Sequence, residues 1–277
     1  MFESALVPVS LREPVGRVRL LVDFLRNFGT RSVTLLHVVS SGLESAWRAE
    51  RRLGDLRDAL DSESYEMQSL VRHGSPAQVI CDAAEERGLR YVCVPWKRKS
   101  MLKRALLGST TANVARLTEV PLFVYKPVGP AVERTRLESV LCATTLEPGR
   151  DGILPYLRDE GFSARHLYLL HVGWRAPDPE TESRRRKTVH ERLAKLEGAC
   201  EGCFETIQAI TRVGDPRRRI LRAERTYGVE LIVLGKRARP GGLNRVLGST
   251  AERIVHEARG SVLVVPPREP GPEDESP

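Results

Sequence analysis

The residues best suited to bind a charged small molecule lie in two similar segments. Residues 245–267 read RVLGSTAERIVHEARGSVLVVPP, and residues 105–127 read ALLGSTTANVARLTEVPLFVYKP. In both, Gly-Ser-Thr precedes an amphipathic stretch that predicts a helix. A helix N-terminus carries unpaired N–H groups and partial positive charge, and a glycine there lets an anion approach the backbone. The alternative is that Ser249 and Glu252 form a capping box, which only closes the helix end.

The loop before Gly248 favours an anion site in the second segment. Gly235 ends an apolar run, and four cationic residues lie between the two glycines: Lys236, Arg237, Arg239 and Arg245. A strand, a glycine turn, cationic side chains and a helix N-terminus together form a cradle for an anion. The loop is not a Walker A loop, because GxxxxGK[ST] is absent.

Both segments belong to a repeat of a whole domain. Gly74, Gly88 and Gly108 each recur 140 residues later, as Gly214, Gly228 and Gly248. Repeats of this length indicate two copies of one domain and not a solenoid. We therefore expect domains over 1–130 and 136–267, followed by a disordered acidic tail over 268–277.

Each copy alternates apolar runs with amphipathic stretches. The C-terminal copy predicts the order βαβαβαβαβ, with strands at 139–144, 167–172, 204–211, 230–235 and 261–266, and helices at 149–161, 179–197, 216–228 and from 249 to about 260. Continuous Val, Ile and Leu runs favour strands covered on both faces, hence a parallel sheet. Right-handed crossovers then leave an α/β fold of two tandem doubly wound open parallel five-stranded sheets. Ligands of such sheets bind at the carboxyl ends of the strands, where the winding reverses.

On these motifs the chain resembles two fused universal stress protein domains. The family signature, Gly-x2-Gly-x9-Gly-Ser/Thr, follows a strand like LIVLG and precedes a helix and a last strand like SVLVVP. The resemblance implies that nucleotide-binding members hold ATP with this loop on the phosphates. It implies that the following residues bind a nucleotide in the C-terminal copy: Ala143, Thr144, Thr145, Val172, Gly235, Lys236, Arg237, Ala238, Gly248, Ser249 and Thr250.

Departures from the signature distinguish the copies. The second copy has Ala238 in place of the middle glycine. In the first copy the strand ends at Pro95, which has no N–H for a phosphate, and Arg98 stands at the middle position. The family's aspartate after the first strand is Ser10 in the first copy and Thr145 in the second. We expect a nucleotide pocket in the second copy and a degenerate one in the first.

The amino-acid composition favours some classes of binding partner over others. The chain has 44 Lys and Arg against 36 Asp and Glu, a net charge of +8, which favours anionic partners. Nucleic acid is not favoured, because aromatic residues make up only 5% and no helix-turn-helix or RNP-like run occurs. The basic run 184–187 is interpreted as a solvated helix face. No apolar stretch reaches the ~18 residues of a membrane span, so a cytoplasmic protein is expected.

Other chemistry is weakly indicated. Cys200 and Cys203 form a single CxxC without the partners that zinc or thioredoxin-like chemistry needs. His37 and His171 recur within apolar runs, where a hydrogen-bonded structural histidine is the commoner role. No nucleophile–base spacing or paired carboxylates can be argued, so no enzyme is expected.

Two functions remain open at this point. In one, the chain is a stress-response or regulatory protein, in which ATP or a related nucleotide in the second copy tunes the binding of a protein partner. In the other, the chain is a scaffold or interaction protein without a ligand. The fused copies are predicted to pair as an internal pseudo-dimer through 121–127 and 261–267, because fusion raises the effective concentration of the partner domain, and a further homodimer is compatible with the sequence.

Overall fold

The computed structural model describes residues 1–39, 46–61, 65–96, 109–126, 137–147, 152–236 and 247–267. The chain divides into two compact units, Met1–Thr135 and Arg136–Pro277. The predicted tail, as well as Arg98, Gly108, Arg237 and Ala238, lies outside the described residues. Over those ranges, every helix is too short or too polar to cross a membrane.

The N-terminal unit alternates strands and helices. Its elements are β1 (Ser4–Pro8), α1 (Val15–Phe24) with a 3-10 turn (Leu25–Phe28), β2 (Ser32–Val39), α2 (Ala46–Leu60), β3 (Glu66–His73), α3 (Pro76–Glu86), β4 (Tyr91–Pro95), α4 (Ser109–Leu117) and β5 (Leu122–Tyr125). The strands before the edge strand β3 are nearly all buried, as their apolar runs predict.

The C-terminal unit repeats this order. Its elements are β6 (Leu137–Thr144), α5 (Leu154–Leu157), β7 (Ala164–Gly173), α6 (Pro179–Ala199), β8 (Thr206–Val213), α7 (Pro216–Tyr227), β9 (Leu231–Gly235), α8 (Ser249–Glu257) and β10 (Ser261–Val265). All five predicted strands agree with these bounds within three residues at each end, and the largest difference is at β7, which starts three residues earlier than predicted.

Both sheets are parallel and have the same topology. The strand order is β3-β2-β1-β4-β5 in the first unit and β8-β7-β6-β9-β10 in the second. In each, the fourth strand crosses back to the other side of the first, so the winding reverses between β1 and β4 and between β6 and β9. The predicted α/β doubly wound fold is confirmed, and each unit has its switch point at the predicted strands.

Helix α7 shows why some bounds could be predicted. Asp215 is its N-cap and accepts a hydrogen bond from the Arg218 N–H at 2.8 Å, and Pro216 occupies the first turn. Gly228 ends the helix in the left-handed conformation, with φ of 62°. These predictions are confirmed.

Helix α5 is shorter than the predicted 149–161. Gly152 precedes it with φ of 55°, and Asp159 ends it with a turn in which the side chain accepts from the Gly161 N–H at 3.0 Å. The prediction was wrong for this part, because a helix-like spacing of apolar residues does not reveal the turns that limit it to Leu154–Leu157.

Candidate functional site

The carboxyl ends of three adjacent strands bring the predicted residues of the second unit to one edge. Ala143 and Thr144 end β6, Val172 lies near the end of β7, and Gly235 ends β9. Ala143 pairs with Leu234 on one side and Leu170 on the other, so β6 lies between the other two strands. The edge from β9 to β7 covers two strand spacings, about 10 Å.

Helix α8 begins beside this edge without a side-chain cap. Its N-cap is Gly248, with φ of −38° and ψ of 150°, and the first helical hydrogen bond runs from the Glu252 N–H to the Gly248 carbonyl at 3.0 Å. The N–H groups of residues 249–251 precede that bond and have no hydrogen bond to any described residue. Such a helix end attracts an anion.

The capping-box interpretation was therefore wrong. The helix starts at Ser249, one residue earlier than a Ser249 cap requires, so the N-cap is Gly248, which has no side chain to accept a bond. Glu252 consequently lies at the fourth helical position and not at the third, where a capping box needs it.

Lys236 directly follows the end of β9 and is buried. Its side chain is 1% exposed, and its N–H donates to the Val265 carbonyl at 2.8 Å. Both the ammonium group and the amide are thus inside the protein, where a buried charge is held by partners. The residue closes the end of β9 against β10.

Thr145 and its neighbours form a strained turn after β6. Thr145 is exposed, and its Oγ1 accepts a weak bond from the Glu147 N–H at 3.4 Å. Leu146 is buried yet has φ of 61°, a conformation that costs a leucine roughly 1–2 kcal/mol. Nη1 of Arg192 in α6 donates to the Leu146 carbonyl at 2.9 Å and holds this turn.

The first unit has the same turn with a different hydroxyl. Leu11 has φ of 57°, and Arg52 of α2 donates to its carbonyl at 2.6 Å. Ser10, however, donates through both its N–H and its Oγ to Glu13, at 3.0 and 2.7 Å. The hydroxyl is therefore engaged, and a carboxylate stands where an anionic ligand would approach. Sequence analysis missed these turns, because leucine carries no signal for positive φ.

The end of β4 in the first unit is occupied by a tryptophan and a lysine. Trp96 donates its N–H to the Tyr125 carbonyl at 2.8 Å, the place that Lys236 takes in the second unit. Nζ of Lys126 lies 4.3 Å from the centroid of the Trp96 ring, a cation–π contact. The strand itself ends at Pro95, which has no N–H to donate to a ligand. This edge therefore presents the indole ring of Trp96 and no backbone donor from Pro95.

The two histidines have the predicted structural role. Nδ1 of His37 lies 2.9 Å from the Val9 carbonyl, and Nδ1 of His171 lies 3.1 Å from the Thr144 carbonyl. A carbonyl only accepts, so Nδ1 carries the proton in both. Each ring joins the ends of two neighbouring strands.

The cysteines do not form a reactive pair. Cys200 is 0% exposed, and burial raises the pKa of its thiol to about 11, with a smaller contribution from Cys203. A thiolate is the reactive form, so this thiol is inert at neutral pH. Across the described part of the chain, the search for three or more His, Cys, Asp or Glu side chains placed to hold a metal ion finds none.

Comparisons with known proteins agree with this fold. The family model described as Universal stress protein family matches residues 1–126 and 164–266. A universal stress protein of Mycolicibacterium smegmatis is 24% identical over 214 residues, which are 75% of this chain and 71% of that protein.

Two solved structures match nearly the whole chain. One is a universal stress protein from Archaeoglobus fulgidus, with a TM-score of 0.71 and 20% identity over 96% of this chain and 99% of that one. The other is a functionally unknown protein from Pseudomonas aeruginosa, with a TM-score of 0.69 and 19% identity over 96% of this chain and 93% of that one. At these identities the likeness supports the fold alone.

Proposed function

The chain belongs to the universal stress protein family, and from this premise we propose that its C-terminal domain binds ATP or a related nucleotide and thereby tunes the binding of a protein partner. The observation that carries the proposal is the N-terminus of α8. Three backbone N–H groups follow Gly248 without a hydrogen-bond partner among the described residues, at the switch-point edge of the sheet.

In the proposed complex, three groups of residues bind the phosphates, the ribose and the base of the nucleotide. Phosphates lie against Gly248, Ser249 and Thr250, beside the strand end at Gly235. The exposed Thr145, at the end of the middle strand, has a hydroxyl that binds the ribose. The base lies toward Val172 at the end of β7. In this arrangement Arg237 and Ala238 belong to the phosphate loop, as the family signature indicates.

The N-terminal domain is proposed to act as a scaffold. The contact between Trp96 and Lys126, together with the engaged Ser10, supports this role, because both fill or close the edge that a nucleotide would need. We propose no catalytic role for either domain.

Equilibrium dialysis of the full chain against labelled ATP tests the proposal. Gly248→Val places a branched side chain at the helix start, where the negative φ does not require a glycine, and circular dichroism checks that the variant is folded. We expect retention of ATP by the natural chain and at least a tenfold loss in Gly248→Val.

Gly108→Val is the matched control, at the corresponding position of the first copy. It should leave ATP retention unchanged. If the natural chain retains no nucleotide, the chain is a ligand-free scaffold of the same fold. If Gly108→Val removes binding and Gly248→Val does not, the site has been assigned to the wrong domain.

A further inference from the structure

Arg185 stands apart from the basic run 184–187 in which it lies. Its neighbours in that run are exposed, whereas the Arg185 side chain is 27% exposed and lies against the carboxyl end of β7. A Cβ added to Gly173 would lie 2.9 Å from Nη1 of Arg185 and 3.2 Å from Nε2 of His171. The guanidinium therefore occupies the space that the glycine leaves open, directly after Val172.

Glu182 fixes the orientation of this guanidinium. Nε and Nη2 of Arg185 donate to the two carboxylate oxygens of Glu182, each at 2.9 Å. The same carboxylate accepts from the Ala176 N–H at 3.0 Å and from Nε of Arg186 at 2.8 Å. A fork held in this way loses little freedom when it makes a further bond.

One nitrogen of the fork remains for a ligand. Nη1 of Arg185 makes no hydrogen bond within the described part of the chain, and both other guanidinium nitrogens point to Glu182. The Glu182 carboxylate balances the positive charge of Arg185. Arg185 therefore acts on a ligand through its directed N–H donors and not through a net charge. Such donors suit a neutral acceptor, for example a carbonyl oxygen, at the base end of the site.

We propose that Arg185 makes the C-terminal site selective for a 6-oxopurine nucleotide over a 6-aminopurine nucleotide. This inference rests on the proposed function, since it assumes that a base lies at the end of β7. The substituent at C6 belongs to both the Watson–Crick and the Hoogsteen edge of a purine. Guanine and hypoxanthine present O6 there, an acceptor for Nη1, whereas adenine presents an amino group that opposes the donor.

The N-terminal copy lacks both parts of this arrangement. At the offset of 140 residues, the counterpart of Arg185 is Ser45. At the offset of 134 residues, which relates His37 to His171, the counterpart of Gly173 is Val39. The selectivity is therefore assigned to the C-terminal domain.

Calorimetric titration of the full chain with ATP and with inosine triphosphate tests the inference, because the two nucleotides differ only along the base edge at N1 and C6. We expect inosine triphosphate to bind about tenfold more tightly than ATP. This difference is what one hydrogen bond from Arg185 to O6 contributes when the alternative is a donor facing the amino group of adenine. In Arg185→Met, which keeps the apolar stem, the two affinities should become equal within about twofold.

Two further variants keep the test decisive. Arg184→Met changes an exposed neighbour and should keep the natural ratio. Gly173→Ala should also reduce the ratio, because its Cβ displaces Nη1, and it serves if Arg185→Met fails to fold by circular dichroism.

The outcomes separate the two claims. Equal or tighter binding of ATP by the natural chain, or a ratio that Arg185→Met leaves unchanged, overturns the selectivity and leaves nucleotide binding standing. Absence of binding by either nucleotide overturns the proposed function, and the selectivity with it.

Discussion

The edges at the carboxyl ends of the two sheets have the same backbone turns and different side chains. After β1, Ser10 is bound to Glu13, whereas after β6 the corresponding Thr145 is exposed. At the fourth strand, the first domain places Trp96 where the second has Lys236. Both copies keep the turns although the side chains at the strand ends differ, so the proposed difference in nucleotide binding rests on a few residues and not on the fold.

The largest expected effect on stability is at Gly260 in the second domain, which lies close to the backbone of residues 229–230. A Cβ on Gly260 would lie 2.7 Å from the Glu230 carbonyl oxygen and 3.0 Å from that of Val229. Gly260→Ala should therefore lower the free energy of unfolding by about 3 kcal/mol, a strong overpacking effect. Urea denaturation measures the loss, and hydrogen exchange assigns it to the second domain.

Position 120 is the matched site in the first domain, where the chain has valine. Val120→Ala should cost less than about 1 kcal/mol. Similar losses in the two variants would show that the approach at Gly260 has no special role.

The next effect should be equal in the two domains. Arg52 and Arg192 each donate to the carbonyl of a leucine with positive φ. Arg52→Met and Arg192→Met should each destabilise the protein by about 1.5 kcal/mol, because a partly buried carbonyl loses a charged donor. Denaturation of both variants measures this, and a marked inequality would contradict the common role of the turn.

A smaller difference is expected at the N-caps of two corresponding helices. Asp215 caps α7 through its side chain, whereas Ser75, the N-cap of α3, makes no side-chain cap bond. Asp215→Ala should cost about 1 kcal/mol, and Ser75→Ala only a few tenths. Thermal unfolding of the two variants compares them, and equal shifts of the midpoint would contradict the assignment.

The smallest effect is the pH dependence contributed by Glu182, which has Gly42 at its counterpart position. Hydrogen bonds from Arg185, the Ala176 N–H and Arg186 hold the pKa of the Glu182 carboxyl well below its ordinary value. A depressed pKa contributes stability above the unfolded-state value of about 4.3, and the contribution disappears as the pH falls toward the lower pKa of the folded state. The stability difference between the natural chain and Glu182→Gln should thus be larger at neutral pH than near pH 3, and a pH-independent difference would contradict it.

Much of the fold could be predicted from local chemistry. Apolar runs predicted the parallel strands, and Asp215-Pro216 with Gly228 predicted the bounds of α7, because caps and left-handed glycines are encoded within a few residues. The one-turn helix α5 could not be predicted in this way, since the turns around it depend on the neighbouring structure.

The candidate site was less predictable than the fold. The strand ends were located correctly, because topology brings the carboxyl ends of β6, β7 and β9 to one edge. Arg185 was interpreted as part of a solvated run, since a sequence does not show which residue of the run Glu182 turns toward Gly173. Lys236 follows a strand end in the sequence, and only the structure shows that this residue is buried.

The most direct test of the account is hydrogen exchange of the full chain with and without saturating ATP. The account predicts that the N–H groups of Ser249, Thr250 and Ala251, at the start of α8, exchange more slowly when ATP is present. The N–H groups of residues 109–111, the corresponding first three residues of α4 in the first domain, should exchange at the same rate in both conditions. Equal protection at both helix starts, or none at α8, would contradict the assignment of the nucleotide to the C-terminal domain.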